Sequence, residues 1–119
     1  MKKVAVKGTL INDQVIVVLD GSGVIEDGKL KWVSEQDKME FCFDLKQNRL
    51  EKEDENSKMN LLFALNEKSM MQYALKDSNY EMDIPMVTTK LQKEENQIEI
   101  CYKVQEDDQN NEIQFHVYW

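Results

Sequence analysis

The residue types that most often carry catalysis are few in this sequence and stand apart from one another. His116 is the single histidine. It lies on the polar face of an alternating segment, where contact with solvent is expected. A catalytic base needs an orienting partner and a nucleophile close to it, and no spacing in the sequence supplies either one. We therefore predict a non-enzymatic protein without catalytic residues.

The two cysteines, Cys42 and Cys101, also fall on segments whose alternation turns them outward. Acidic neighbours at Glu40, Asp44 and Glu99 would raise the pKa values of both thiols and weaken them as nucleophiles. The sequence has no Cys-x-x-Cys pair and no Cys/His cluster, so it predicts no metal site and no cofactor. We expect two free thiols, although a redox pairing stays open if the two strands are adjacent.

Methionine is unusually frequent, with seven residues. Those predicted to face inward beside aromatic side chains are Met39, Met71, Met82 and Met86. Flexible thioethers next to aromatic rings are typical of an adaptable apolar pocket, and equally of a core whose irregular gaps methionine fills. The inward faces already supply many large side chains, so we expect no large open cavity.

A second group of inward residues combines an apolar body with a polar tip: Trp32, Tyr73 and Tyr102. Buried tips of this kind need hydrogen-bond partners, and Thr89 and Glu35 are the candidates. Glu35 follows the segment that carries Trp32, although most glutamates are simply exposed. These side chains would form a small polar group at one end of the fold, which either contacts the head of a ligand or is a structural network.

The segments that position these residues alternate between apolar and polar positions, which indicates strands with one buried face. The clearest cover residues 39–45, 80–86, 97–105 and 113–119. The predicted turns are Asp27-Gly28, Gln47-Asn48, Asn66-Glu67, Asp77-Ser78, Glu94–Asn96 and Glu106–Asn111. Pro85 predicts an edge position or a bulge. Residues 61–74 are compatible with a helix, although they fit a turn and a strand as well.

Size and charge limit the classes of protein to which the chain can belong. Its 119 residues fit a single domain, residues 1–119. A net charge of −8 disfavours partners such as nucleic acid and an anionic membrane surface. The charged run Glu51–Glu55 is predicted to be a solvated edge strand or loop. The early apolar run Val15–Leu19 is too short for a signal-peptide core or a membrane span, so we expect a cytoplasmic protein.

The order of these segments resembles that of the YwiB-like family of small bacterial proteins of unknown function. The resemblance rests on Leu61-Leu62-Phe63, Asn66-Glu67, Tyr73, Tyr80-Glu81-Met82, Val87–Leu91 and Ile98–Val104, with Leu30–Glu35 as an aromatic-then-Glu strand. It implies a calycin-like β-barrel related in shape to the lipocalins. It implies no reaction, because the family has no settled activity.

Pattern and resemblance together predict an all-β fold: a small, mostly antiparallel, up-and-down barrel of about eight to ten strands. The function that we expect first is binding of a small apolar or amphipathic ligand in the barrel. Its predicted contacts are Trp32, Glu35, Tyr73, Met82, Thr89 and Tyr102. The alternative is a protein-interaction or scaffold module with a filled core, which would use an exposed strand edge or the acidic surface. The sequence does not fix an oligomeric state.

Overall fold

The computed structural model describes residues 1–104 and 111–119, and most of these lie in strands. The strands are β1 Lys2–Asn12, β2 Val15–Val18, β3 Gly21–Glu26, β4 Lys29–Ser34, β5 Glu40–Asp44, β6 Arg49–Glu53, β7 Ser57–Leu62, β8 Lys68–Leu75, β9 Glu81–Glu94, β10 Gln97–Val104 and β11 Glu112–Tyr118. The described part of the chain contains no helix, and hence none that could cross a membrane. Residues 61–74 belong instead to β7, a connection and β8, so the helical alternative is wrong.

Ten of these strands close into an antiparallel barrel. Each strand from β3 to β11 pairs with the next one along the chain. The barrel closes because β1 pairs with β3 through its first half and with β11 through its second half. β2 stands outside this cycle and pairs with the second half of β1 alone. The all-β, mostly antiparallel barrel that the alternation predicted is therefore confirmed.

The turns between strands rely on Asn and Asp in left-handed backbone geometry. Asp27 has φ 54° and Gly28 has φ 76°, which joins β3 to β4 in two residues, as predicted. Asn48, Asn66 and Asn96 have φ values of 57°, 62° and 64° at three other predicted turns. Asn and Asp tolerate this conformation better than other residues with a Cβ. The predicted turn at Glu106–Asn111 lies outside the described residues apart from Asn111.

Two glycines allow β3 and β4 to approach closely at one corner of the barrel. A Cβ added to Gly21 would lie 2.0 Å from the carbonyl oxygen of Val33, and one added to Gly23 would lie 2.3 Å from that of Lys31. Both distances are far below van der Waals contact, so this corner requires residues without side chains.

The barrel interior is packed at mid-height. One inward row of cross-strand partners, here called the Phe43 row, consists of Ile25, Leu30, Phe43, Leu50, Leu61, Met71 and Ile84. All seven are buried or packed against the core. The ring of Phe43 lies 6.4 Å from that of Phe115 on β11, and the ring of Phe63 lies 5.4 Å from that of Tyr102 on β10. Because each pair joins parts of the wall that are not adjacent, aromatic rings occupy the middle of the barrel.

Candidate functional site

The inward row next to the Phe43 row is different in character. This row, here called the Lys52 row, consists of Gly23, Trp32, Phe41, Lys52, Met59, Tyr73 and Met82. It lies toward the barrel end at which β6 and β8 end and β7 and β9 begin, here called the Lys52 end. Directly opposed residues of antiparallel strands share a face, so all seven positions are oriented toward the interior.

The Lys52 row is closed on one side and open on the other. Trp32 and Phe41 are each 3% exposed and stack with their ring centroids 4.7 Å apart. Lys52, Tyr73 and Met82 keep partial contact with solvent. Within the described part of the chain, Tyr73 and Met82 are not packed against the buried core cluster, although both face inward. The partly exposed inward side chains of β6 to β9 at the Lys52 end, here called the mouth, are Lys52, Met59, Tyr73 and Met82.

Lys52 is a charged residue at an inward position. It stands between Phe41 on β5 and Met59 on β7. Burial lowers the pKa of its ammonium group, while the negative charge of Asp54 acts in the opposite direction. Among residues 1–104 and 111–119, no side chain or backbone oxygen forms a hydrogen bond or ion pair with its Nζ.

The predicted run of solvated charges at residues 51–55 is wrong at Lys52, because β6 alternates like its neighbours. Leu50 is 2% exposed and faces inward, and Lys52, two positions further on, shares its face. Lys52 was not among the site residues predicted from the sequence. Counting in steps of two from Leu50 would have identified it, but the charges of Glu51 and Glu53 on either side obscured the pattern.

The side chains that were predicted to form one polar group at the end of the barrel are all described in the structure and form no hydrogen bond with one another. The indole Nε1 of Trp32 donates a hydrogen bond of 2.9 Å to the backbone oxygen of Leu19, so Glu35 is not its partner. Glu35 lies in the exposed turn after β4, where its backbone amide donates to Asp20. The buried polar residue at the end of β4 is Ser34, whose Oγ accepts the backbone amide of Met39 at 3.2 Å. Glu35 is therefore an exposed residue, as its alternative interpretation held.

The prediction that Thr89 faces inward is wrong. The pairing of β9 with β10 shifts at this point: Thr88 opposes Tyr102, and Lys90 opposes Cys101. Thr89 is the extra residue of a β-bulge, which turns its side chain outward, and its Oγ1 donates to Glu112 at 2.7 Å. Thr88 takes the inward position instead, is fully buried, and accepts the backbone amide of Ala64 at 3.2 Å.

The remaining predicted contacts fall in separate places. Tyr73 and Met82 are direct cross-strand partners in the mouth. Trp32 shares their row but lies four strands away from Tyr73, within the closed part of the row. Tyr102 lies deeper on another wall, packed on Phe63, and burial raises the pKa of its hydroxyl. Of the six predicted contacts, the structure therefore brings Tyr73 and Met82 together at the mouth.

His116 and the two cysteines lie at outward-facing positions, as predicted, although Cys101 is buried there. His116 contacts Gln97 Oε1 at 3.1 Å and lies beside the ring of Tyr118. Both cysteines are free, and β5 and β10, which carry them, are not neighbours in the barrel. Burial and nearby carboxylates raise the pKa of each thiol, which weakens both as nucleophiles.

The grooves of the surface lie on the outer side of the barrel wall. One of about 370 Å³ crosses β3 to β7, where Val24 and Val33 form its apolar floor and Lys31, Glu40 and Glu51 lie among its polar residues. Charges of both signs alternate there, so no single ligand chemistry is indicated. Within the described residues, no group of three His, Cys, Asp or Glu side chains could hold a metal ion. The mouth at the Lys52 end therefore remains the candidate site.

The chain is similar in structure to the ywiB protein from Bacillus subtilis, as seen in the crystal structure of that protein. The two share 16% sequence identity, and the match covers 98% of this chain and 89% of the other with a TM-score of 0.47. No family model and no curated protein matches the sequence. A likeness of this size supports no conclusion about family or function.

Proposed function

We propose that this protein is a non-enzymatic binding protein for a small apolar or amphipathic molecule, which it holds at the mouth of the Lys52 end. The observation that carries the proposal is the difference in burial between two adjacent inward rows. The Phe43 row is packed, whereas Tyr73 and Met82 in the next row face inward without contacting the core. The hydroxyl of Tyr80 contacts the sulfur of Met82 at 3.5 Å, but inward apolar side chains that stand apart from a packed core are typical of ligand sites.

The packed middle of the barrel limits where a ligand can bind. With the rings of Phe43 and Phe115 only 6.4 Å apart, a molecule cannot pass between the walls at mid-height. The ligand would rest on Met59, Tyr73 and Met82 and leave one end accessible to solvent. The flexible thioethers of the two methionines suit molecules of varied shape.

The first experiment titrates the protein with a neutral, environment-sensitive naphthylamine dye whose emission rises in apolar surroundings. We expect saturable binding that is reduced roughly tenfold or more by Tyr73→Asp, because a carboxylate disfavours apolar contact. Met70→Asp is the matched control, since Met70 lies on the outer face of the same strand and is 51% exposed. Met82→Ala serves as a second site variant if Tyr73→Asp does not fold, as judged by circular dichroism. Equal dye binding by the native protein and the site variants would refute the proposal.

A second candidate function rests on the free edge of β2. Val15 and Ile16 are each 62% exposed, and among the described residues β2 pairs on one side alone. The strand carries no charge, proline or bulge, which are the usual protections of an edge. We propose as alternative function an interaction module that pairs through this edge, the partner being a second copy of the chain.

The alternative is tested by sedimentation velocity over a range of concentrations. A concentration-dependent dimer that Ile16→Lys dissociates, and that Met70→Lys leaves intact, is the expected result. A native protein that remains monomeric throughout would exclude this alternative. The two candidates are tested by different variants and different measurements.

The proposal also covers the family and the location of the protein. We place the chain in the YwiB-like family of bacterial, calycin-like barrel proteins, supported by the order of sequence segments described above. We also place it in the cytoplasm, supported by two free cysteines.

A further inference from the structure

The inward position of Lys52 suggests which molecules the mouth would select. Lys52 points to the same side of the barrel wall as Leu50, Phe41 and Met59, so its hydrocarbon stem lies among apolar side chains. A lysine placed in this way can keep its ammonium group at the edge of the apolar region. The mouth therefore combines an apolar surface with one positive charge.

The charge of Lys52 is not neutralised by a contact with the protein. The carboxylate of Asp54, just beyond the end of β6, is the one whose charge acts on Lys52. However, Asp54 Oδ1 accepts hydrogen bonds from the backbone amides of Asn56 and Ser57, both at 2.8 Å, and from the hydroxyl of Ser57 at 3.2 Å. The carboxylate of Asp54 is thus engaged in its own turn.

Other lysines of this protein do find partners. Lys93, which also opposes an inward residue, donates a hydrogen bond of 2.9 Å to the backbone oxygen of Leu45. Lys90 pairs with Glu99 at 2.8 Å on the outer face. Lys52 has no such acceptor among the described residues, and its side chain keeps partial contact with solvent. An inward charge that these protein groups do not pair can pair with the head group of a ligand.

We propose that the molecule held at the mouth is an amphipathic anion, with Lys52 as counter-ion of its head group and Met59, Tyr73 and Met82 as the surface for its apolar part. This inference rests on the proposed function and names its ligand class. A lysine ammonium acts as a point charge and suits a single carboxylate or phosphate group. The chain carries a net charge of −8, so a small anion without an apolar part would be repelled.

The experiment compares ligands that share a chain and differ in the head group. Decanoate and decanol, below the concentration at which either aggregates, are titrated into the full chain by calorimetry. We expect decanoate to bind roughly tenfold to a hundredfold more tightly than decanol, the usual value of one charge-assisted hydrogen bond. Lys52→Met should abolish this preference, Lys52→Arg should keep most of it, and Lys93→Met should leave it unchanged.

The outcomes separate the inference from the proposed function. Equal binding of decanoate and decanol to the native protein would show that the site does not select an anion. The proposed apolar site would then stand. Failure of both to bind would overturn the proposed function itself. A preference that survives in Lys52→Met would show that another group holds the anion. Decyl phosphate is tested as a third ligand. If it binds more tightly than decanoate, the preferred head group is a phosphate.

The role of Lys52 can also be tested on the native protein through the pH dependence of ligand binding. This test does not depend on whether a variant folds. The ammonium of Lys52 loses its proton as the pH rises toward 10.5, the ordinary pKa of lysine. The preference for decanoate over decanol should therefore fall with rising pH, while the affinity for decanol stays the same. A preference that is constant across this range would overturn the role of Lys52.

Discussion

Each end of the barrel has a lysine opposite an inward apolar residue, but Lys93 is exposed and Lys52 is partly buried. Lys93 lies at the end where β9 stops and β10 begins, opposite the inward Ile98. Its Nζ reaches across to the backbone oxygen of Leu45 at 2.9 Å and links β9 to the turn after β5. At the other end, Lys52 is flanked by apolar residues and, among the described residues, forms no hydrogen bond.

The difference shows that position alone does not decide the role of an inward lysine. At the Lys93 end, the backbone oxygen of Leu45 accepts a hydrogen bond from the lysine, which links β9 to the turn after β5. At the Lys52 end, the neighbouring strands offer Phe41 and Met59, which accept no hydrogen bond. One end thus pairs its lysine within the protein, and at the other the proposed ligand would supply the partner.

The largest expected effect concerns the core that separates the two ends. Phe43→Ala should lower the free energy of unfolding by about 3–5 kcal/mol, because a fully buried ring is lost and a cavity remains. Tyr73→Ala in the mouth should lower it by less than about 1 kcal/mol, since Tyr73 makes no contact with the core cluster. Urea unfolding followed by tryptophan fluorescence measures both. Equal losses would mean that the mouth is part of the core, and the contrast between the rows would not hold.

The two lysines themselves should respond with opposite signs. Lys52→Met should raise the free energy of unfolding by about 1 kcal/mol, because a charge without a partner is replaced by an apolar side chain of similar length. Lys93→Met should lower it by about 1 kcal/mol through the lost bond to Leu45. Lys31→Met, on the exposed outer face of β4, is the control and should change it by less than about 0.5 kcal/mol. A loss of stability in Lys52→Met would contradict the comparison.

The smallest effect is a dependence on pH. Burial lowers the pKa of Lys52 below its ordinary 10.5. Between the lowered pKa and 10.5, the unfolded chain binds the proton and the folded chain does not, so the free energy of unfolding rises with pH there. The increase in the free energy of unfolding that Lys52→Met causes should therefore be largest at neutral pH and become smaller as the pH approaches 10.5.

Urea unfolding of both proteins in steps of pH measures this difference. Groups whose pKa values burial raises, namely the two thiols and the Tyr102 hydroxyl, titrate in both proteins and cancel in the comparison. An increase that becomes larger as the pH rises would contradict the assigned direction of the Lys52 shift.

Alternation predicted most of the barrel because each strand has one buried face. It placed Phe41, Phe43, Ile100 and Phe115 inside, where all four are buried. It failed at Thr89, because a β-bulge inserts one residue and no residue type at that point marks the insertion. The closure of β1 on β11 depends on register between distant strands, which local patterns do not encode.

The candidate site was harder to predict than the fold. Tyr73 and Met82 follow from their apolar character at inward positions, and the structure makes them direct partners. Lys52 was missed because a charge predicts exposure, whereas its position in β6 is fixed by the pairing of Leu50 with Phe43. Because Lys52 is an exception to the hydrophobic pattern, its inward position can be recognised only once the register of β6 is known.

The pairing that closes the barrel also governs how the chain can fold. Every other neighbouring pair in the cycle is close in sequence, but Gly8 meets Val117 across more than a hundred residues. Hairpins can form early and locally, while this last contact must bring together distant segments at a cost in loop entropy. Until it forms, the edges of β1 and β11 are both unpaired and open to association with other chains. Folding should therefore be limited by the meeting of the first and last strands, and aggregation during refolding should depend on how long that step takes.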